Sequence, residues 1–343
     1  MRFSFRSARW VGRPAKIAIL VMGWLILISI LHFRLNADRG GRRTIAMGYM
    51  PVITNLAAPL LDDATREGNG VRFKAIKFAS FAEMAAAFRN DEIQAAFIIA
   101  PLAIVLKQQG VDIRIVYIGN RHESTLVSRR DLDARSIDAL AGRTVAVPIR
   151  YSGHYLLMRK ILEERGLSGE VRLVEMNPPD MASALASGVL DAYFVGEPFA
   201  AQTLKSGEAQ RIHYVEEMWP GFICNLMIVK KPLIDEAPEL IRRLVTGAVR
   251  SGIWAKDHIP EAAAIVSRYW RQPVALVEYA LGTPLGRIRF EASLPKLEEI
   301  QEIADLMVRF GLSQNRDVGG IVDDRFVREA DVKEVPSLAR IFD

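Results

Sequence analysis

The sequence predicts an α/β protein of two lobes, preceded by one amino-terminal transmembrane or signal-anchor helix. Three observations predict it. Apolar strand-like runs alternate with helical stretches from residue 44 to about residue 310, the signature of parallel sheets. One helix–strand–helix unit recurs 97 residues further along the chain. An apolar run without formal charge occupies residues 17–33, behind a basic start.

The repeat is read from coincident residues. Met84 falls on Met181, Phe97 on Phe194, Pro101 on Pro198 and Ala103 on Ala200, with Ala85, Ala87 and Ala95 on Ala182, Ala184 and Ala192. Alanines recur by chance in helices; a shared Phe and Pro at a strand-to-helix junction carry more weight. Each copy ends a buried strand at a proline placed to start the next helix. In the second copy a helix over 181–187 stops at Gly188, where positive φ is easily reached. A buried strand follows, and then Gly196-Glu197-Pro198.

Charge separates the amino terminus from the rest. The whole chain is +5, and residues 1–43 alone carry nine basic residues against Asp38, so the remainder is net −3. The basicity belongs to the tail, and no nucleic-acid partner is implied. Residues 1–16 read as a cytoplasmic basic tail and 17–33 as the transmembrane or signal-anchor helix. Seventeen residues at about 1.5 Å each give roughly 25 Å, the low end of a membrane span. No small-x-small cleavage site follows, which favours an uncleaved anchor; a cleaved secretory signal is the competing reading. Either way the following domain is periplasmic or otherwise extracytoplasmic, tethered to the inner membrane or released.

In order, strands are expected at 44–49, 71–78, 93–99, 113–118, 140–148, 171–176, 192–196 and 226–229, with helices between them. Thr54 or Asn55 is expected to cap the helix through Leu60 and Leu61, and Ser80 with Glu83 forms a capping box. Asn177 is expected to cap the helix of the second repeat. From Pro232 the chain reads as helical over 233–257, 260–270, 274–282 and 296–310, with a short closing segment over 321–326. The charged stretch 128–133 is read as the first crossing between lobes and 218–222 as the return. Lobe one is therefore assigned 44–130 and 223–343, and lobe two 131–222.

No catalytic signature is present. The five histidines, His32, His122, His154, His213 and His258, show no HExxH spacing, and there is no nucleophile elbow, phosphate loop or GxGxxG after a strand. Cys224 stands alone, which excludes an internal disulfide, a CxxC pair and a thiolate zinc site. No metal or cofactor is implied, and the chain reads as a binding protein, not an enzyme. Binding candidates lie at the carboxyl ends of strands, where open α/β sheets take ligands. Arg150, Ser152 and His154 surround a helix start: Ser152 caps it either as part of an anion site or as an ordinary N-cap, Arg150 is either an oxyanion partner or solvated, and His154 is either structural or a ligand contact. Tyr49 either stacks on a ligand or closes the core edge, with Asn55 beside it. Ala100 and Pro101 lie at another helix start, which offers backbone N–H groups. Glu197 either contacts ligand or closes the lobes.

At these residues the chain resembles the substrate-binding proteins of ABC transporters, in the nitrate, sulfonate, taurine and thiamine-precursor branch. The matching pieces are Gly48-Tyr-Met-Pro51, the run 140–148, Ser152-Gly-His154, residues 181–191 and Gly196-Glu-Pro198, in one order over about 44–312. The resemblance implies a type II periplasmic-binding-protein-like fold with two crossings. It implies a small, anionic solute held between the lobes and delivered to ABC permease and ATPase subunits. It also implies that the loops after the first and third strands, at 150–154 and at 196–199 line the cleft. A membrane-tethered sensor with the same fold and binding of a pyrimidine thiamine precursor are the alternatives. Two departures stand out: the apolar helix, and a single cysteine where the pyrimidine-synthase relatives bear several.

Overall fold

The structure is a computed structural model that describes residues 13–36, 42–68, 70–332 and 335–342. Residues 13–36 form one helix, α1 (Arg13–Asn36). Its described side chains, residues 17–31, are exposed, among them Leu20, Trp24 and Leu27. Among the described residues no helix is long and apolar enough to cross a membrane. Of the basic tail read over 1–16, the first twelve residues lie outside the described residues.

The second compact unit, Thr44–Asp343, contains two five-stranded sheets built on one plan. The chain runs β1 (Thr44–Tyr49), α2 (Ala57–Ala64), β2 (Arg72–Lys77), α3 (Phe81–Arg89), β3 (Ala95–Ile99), α4 (Ala100–Gln108) and β4 (Ile113–Ile118). It then enters the other sheet with β5 (Ser124–Arg129), β6 (Thr144–Val147), α5 (Gly153–Glu164), β7 (Arg172–Glu175), α6 (Pro178–Ala186), β8 (Ala192–Gly196), α7 (Phe199–Ser206), β9 (Ala209–Tyr214) and α8 (Val215–Met218). It returns through β10 (Asn225–Lys230) to α9 (Lys231–Glu236), α10 (Pro238–Asp257), α11 (Ile259–Trp270), α12 (Val274–Gly282), α13 (Leu297–Arg309) and α14 (Arg325–Arg328).

The first sheet is ordered β2-β1-β3-β10-β4 and the second β7-β6-β8-β5-β9. In each, four strands run in one direction and the fourth in order runs antiparallel to both its neighbours. The repeated segments are α3-β3-α4 and α6-β8-α7. Their pairing is equivalent: Met47 faces Ala95 in one sheet and Val145 faces Ala192 in the other. β3 and β8 are buried along their whole length, as continuous apolar runs in covered parallel sheets should be. β2, at an edge, alternates, with Phe73 inside and Lys74 and Lys77 outside.

The fourth strand of each sheet comes from across the molecule, and this corrects the first crossing. β5 pairs with β8 and β9, so the chain changes lobes at 119–123 and not at 128–133. Residues 124–130 therefore sit in the second lobe, although the sequence assignment gave them to the first. β5 went unread because its buried positions include Ser124, Thr125 and Ser128, which break an apolar run. β9 was missed as well. Neither Thr54 nor Asn55 caps α2, whose N-cap position is Leu56 without a side-chain hydrogen bond; a one-turn 3-10 helix, Ile53–Asn55, comes first. Asn177 also makes no cap bond. Ser80 does cap α3, accepting from Glu83 N at 3.2 Å.

The lobes touch well beyond the two crossings. Val52, from the β1–α2 loop, lies in the core of the second lobe. Ala201 of α7 joins the first-lobe core beside α11 and α12, and Leu156 of α5 joins the core beneath α4 and α13. Ile53 N donates to Glu197 O at 2.9 Å across the junction. The carboxyl terminus is fastened by Ile341, fully buried, and by Phe342 stacked on Phe73 at 5.7 Å.

The first crossing lies tight against the β1–α2 loop. A Cβ on Gly119 would stand 1.7 Å from the backbone oxygen of Thr54, which no rotamer change relieves. Gly119→Ala is expected to cost about 3 kcal/mol or more, the upper range for overpacking against fixed backbone. Urea unfolding at constant m-value measures it; a loss below about 1 kcal/mol would show that the loop shifts freely.

Candidate ligand site at the junction of the lobes

Where the crossings meet the strand ends, buried polar residues from both lobes converge. Asn225, at the start of β10, donates from Nδ2 to Asn55 Oδ1 at 2.8 Å, and Asn55 Nδ2 donates to Met50 O at 2.9 Å. These bonds pin the loop after β1, so Asn55 is a loop anchor whose hydrogen-bonding groups are used within the first lobe. Ala100 and Pro101 form the buried start of α4, directly after β3. Tyr49 is not a stacking surface: its ring is 1% exposed inside the first-lobe core. Burial, together with Tyr269 and Asp62 nearby, pushes its phenol well above the usual range.

In the second lobe Ser152 caps α5, accepting from Tyr155 N at 3.2 Å and donating to Ile149 O at 2.6 Å. Arg150 points elsewhere. Its guanidinium is exposed and its Nε donates to Glu175 Oε1 at 2.7 Å, while its backbone N reaches Glu175 Oε2 at 3.0 Å. The Glu175 carboxyl is slightly desolvated, but these bonds from Arg150 hold it below its ordinary range. The oxyanion-partner reading of Arg150 therefore finds no support in the geometry; a surface ion pair occupies the side chain.

His154 sits in the first turn of α5, 2% exposed, between the edges of Phe194 and Phe222 at 4.7 and 5.3 Å between ring centres. Burial drives its pKa down to about 3, so the ring is neutral at neutral pH. Nε2 lies 2.9 Å from Ser124 Oγ, and Nδ1 is buried without a partner. The Ser124 hydroxyl has one hydrogen, shared between this contact and Glu123 Oε1 at 3.0 Å. Whichever it chooses sets His154 Nδ1 as acceptor or donor.

Glu197 is 3% exposed and fully engaged. Oε1 accepts from Thr125 Oγ1 at 2.8 Å, Oε2 accepts from Ala201 N at 2.7 Å, and Arg287 Nη1 stands 3.8 Å from Oε1. Its backbone N donates to Glu123 Oε2 at 2.8 Å. Burial raises the carboxyl to about 7 against the lowering pull of Arg287, Thr125 and the Ala201 N–H. Glu123, also buried, is pushed up for the same first reason. Gly196 is required here, since a Cβ would come within 2.7 Å of Glu123 Oε2.

Several groups here escaped sequence reading: Asn120, Glu123, Ser124, Thr125, Asn225 and Arg287. None belongs to a motif, and they meet only through the crossings. The one local signal was the cluster of small hydroxyl residues, Ser124, Thr125 and Ser128, around Leu126 and Val127 in an unrecognised strand, β5. Four side chains at or beside this junction keep buried polar atoms without a geometric hydrogen bond: Thr54 Oγ1, which lies against the Cys224 thiol, both amide atoms of Asn120, His154 Nδ1 and Glu216 Oε2. Thr54 comes from the first lobe, His154 and Glu216 from the second, and Asn120 from the crossing. Cys224, on the return crossing, lies beside Thr54, Ser124 and Glu123, and its thiol is pushed far up by burial and by Glu123. Among the described residues no group of three or more metal-ligating side chains is placed to hold an ion.

Two lobes of one plan, joined by two crossings with polar groups gathered between them, make a two-lobed, periplasmic-binding-protein-like fold. The chain belongs to the NMT1-like family, whose model matches residues 40–269. It is 25% identical over 328 residues to a putative aliphatic sulfonates-binding protein of Bacillus subtilis, covering 90% of this chain and 96% of that one. In fold it is similar to the ligand-binding component of an ABC-type import system from Staphylococcus aureus, with a TM-score of 0.75 and 20% identity over 85% of this chain and 100% of that one. It is also similar to the periplasmic nitrate-binding protein NrtA of Synechocystis PCC 6803, with a TM-score of 0.74 and 14% identity over 84% of this chain and 88% of that one. The resemblance read from the motifs holds.

Two buried groups titrate in opposite senses. Glu197 binds its proton more tightly in the folded protein, about 7 against 4.5, so stability falls as pH rises through that window. His154, at about 3 against 6.5, loses stability as pH falls from 6.5 towards 3. Glu197→Gln keeps one acceptor for Ala201 and removes the titration. The melting temperature of this variant relative to the parent is expected to rise between pH 5 and pH 8; a constant difference would remove Glu197 from the pH response. Ser152→Ala should cost about 1 kcal/mol through loss of the α5 cap, read by chemical denaturation.

Proposed function

We propose that this protein is the substrate-binding component of an ABC importer, which captures a small solute between its lobes and delivers it to a membrane permease. The observation that carries the reading is the set of buried, unpartnered polar atoms at the lobe junction. Nearly all buried polar groups in folded proteins find partners, and a cluster that does not is a site awaiting one. Here Thr54, Asn120 and His154 are contributed from both sides of the closing surface. A solute bonded by both lobes favours the closed arrangement over the open one, which is the coupling an importer uses. Family membership and the printed roles of the similar proteins point the same way.

A solute of the sulfonate or nitrate kind suits this frame through hydroxyl and amide donors and the N–H groups at the starts of α4 and α5. Arg150, committed to Glu175, is not part of that site in this reading. The apolar helix α1 supports placement outside the inner membrane, with the helix as tether or as export signal. Its run of exposed Ile, Leu and Trp side chains has no role in water.

Calorimetric titration of the purified protein with aliphatic sulfonates, taurine, nitrate, bicarbonate and pyrimidines tests the proposal. One class is expected to bind with micromolar or tighter affinity. Thr54→Val and His154→Phe should each weaken it about tenfold, the loss of one buried hydrogen bond, while Arg150→Ala should change it less than about twofold. If no member of the panel binds, the importer reading fails.

A further inference from the structure

Between α12 and α13 the chain crosses back over the hinge as a strap of turns and bends. Arg289 and Arg121 exchange backbone hydrogen bonds at 3.0 and 3.3 Å, and Ile118 N donates to Ser293 O at 2.9 Å, so the strap is stitched to the end of β4 and the first crossing. Its side chains alternate. Ile288 and Phe290 enter the first-lobe core, which fixes the strap to that lobe. Arg287, on the other side, enters the second lobe.

The Arg287 side chain is 4% exposed, and its contacts beyond the strap are all with the second lobe. Nη2 donates to Ser124 O at 2.5 Å, at the start of β5. Nε donates to Glu216 Oε1 of α8 at 3.1 Å, and Nη1 stands 3.8 Å from Glu197 Oε1 after β8. The guanidinium carbon lies 4.0 Å from the centre of the Tyr214 ring at the end of β9. One planar fork thus touches four separate elements of the second lobe. A lysine cannot reproduce this geometry, since its point charge lacks both the fork and the flat stacking face.

Neighbouring contacts give the strap a matching seat. α12, which leads into it, packs on α7 of the second lobe, where Lys205 Nζ donates to Ala275 O at 2.7 Å and lies over the Tyr279 ring. At the hinge itself Arg121 is bonded to Gly221 O of the return crossing and, at 2.8 Å, to Glu299 Oε2 of α13. Arg121 therefore clamps the two crossings to each other and to the first lobe. Among the described residues, Arg287 carries a buried charge from the first lobe into the second.

We propose that Arg287 is the positioning residue for lobe closure: a bolt on the carboxyl-terminal strap, seated between Glu197, Glu216, the Ser124 carbonyl and Tyr214, that holds the second lobe against the first. The strap is a third, non-covalent connection beside the two crossings. Opening the lobes draws the guanidinium from its seat and leaves Glu197 without its cation. Closure is then set in part by the protein itself before any solute arrives. The link to affinity rests on the importer reading; the link to lobe position does not.

The test measures the lobe separation directly. In the full chain in mild detergent, spin labels at Lys77→Cys and Asp180→Cys, exposed positions on facing lobes, report the distance by pulsed electron resonance; Cys224 is buried. Arg287→Gln is expected to lengthen and broaden the distance without ligand, and Arg287→Lys to recover it in part. Glu216→Gln, which alters a partner at the margin of the core, its side chain 23% exposed, should shift the distance the same way and secures the test if Arg287→Gln folds poorly. With a solute that binds, affinity should fall about tenfold through faster release at an unchanged association rate, because the competent closed state is less populated. An unchanged distance in folded Arg287→Gln and Glu216→Gln overturns the bolt. A protein that binds nothing yet shows the distance shift overturns the importer reading alone.

Discussion

The structure depends on one constraint at its centre: polar groups that the lobe junction removes from water must find partners, and those partners lie on different lobes. Glu197 shows it most fully. Its carbonyl accepts from Ile53 of the first lobe, its N–H is held by Glu123 of the crossing, and its carboxylate is shared among Thr125, the Ala201 N–H and Arg287. A buried carboxylate is tolerated when it is paired and hydrogen-bonded, and it becomes a strong penalty when either is lost. The relative position of the lobes is consequently written into hydrogen bonds and not left to apolar packing alone, which would permit sliding.

The same constraint separates the structural polar groups from those available to a solute. Glu197, Glu123, Ser152 and Asn55 have their bonds satisfied within the protein. Thr54, Asn120 and His154 do not. Under the proposed function a solute bonds these neutral groups, while the charged residues around them are bonded within the protein. The strand end after β8 carries a carboxylate whose bonds are taken up within the protein. Glu197 faces Thr125 and a helix amide instead of a reacting atom.

Much of the frame was legible before any coordinates. The order of elements, the 97-residue repeat, the Ser80 and Ser152 caps, the Gly188 stop and the helices after Pro232 follow from periodicity and turn chemistry, which act over a few residues. The repeat even anticipated the equivalent pairing of β3 and β8. What escaped was long-range. β5 and β9 carry polar residues that no local rule marks as buried, and so the first crossing was placed several residues late. Tyr49 and Arg150 were sensible candidates by position; one turned into the core and the other found Glu175, choices made by side-chain direction and by a neighbour 25 residues away. Arg287 gave no signal at all, because its meaning lies in four elements that meet only in three dimensions.

By itself, then, the sequence determined the two α/β lobes, the apolar amino-terminal segment, the absence of a recognisable catalytic motif and the positions of most strand ends. These rest on hydrophobic period and on capping and turn preferences, which are local and additive. The tertiary structure alone decided where the chain changes lobes, which polar groups at those strand ends remain unpaired, and that a strap from the carboxyl-terminal half closes on the second lobe. Those outcomes depend on burial, and burial is a property of the whole chain: a serine, a glutamate or an arginine acquires its role from what excludes water around it.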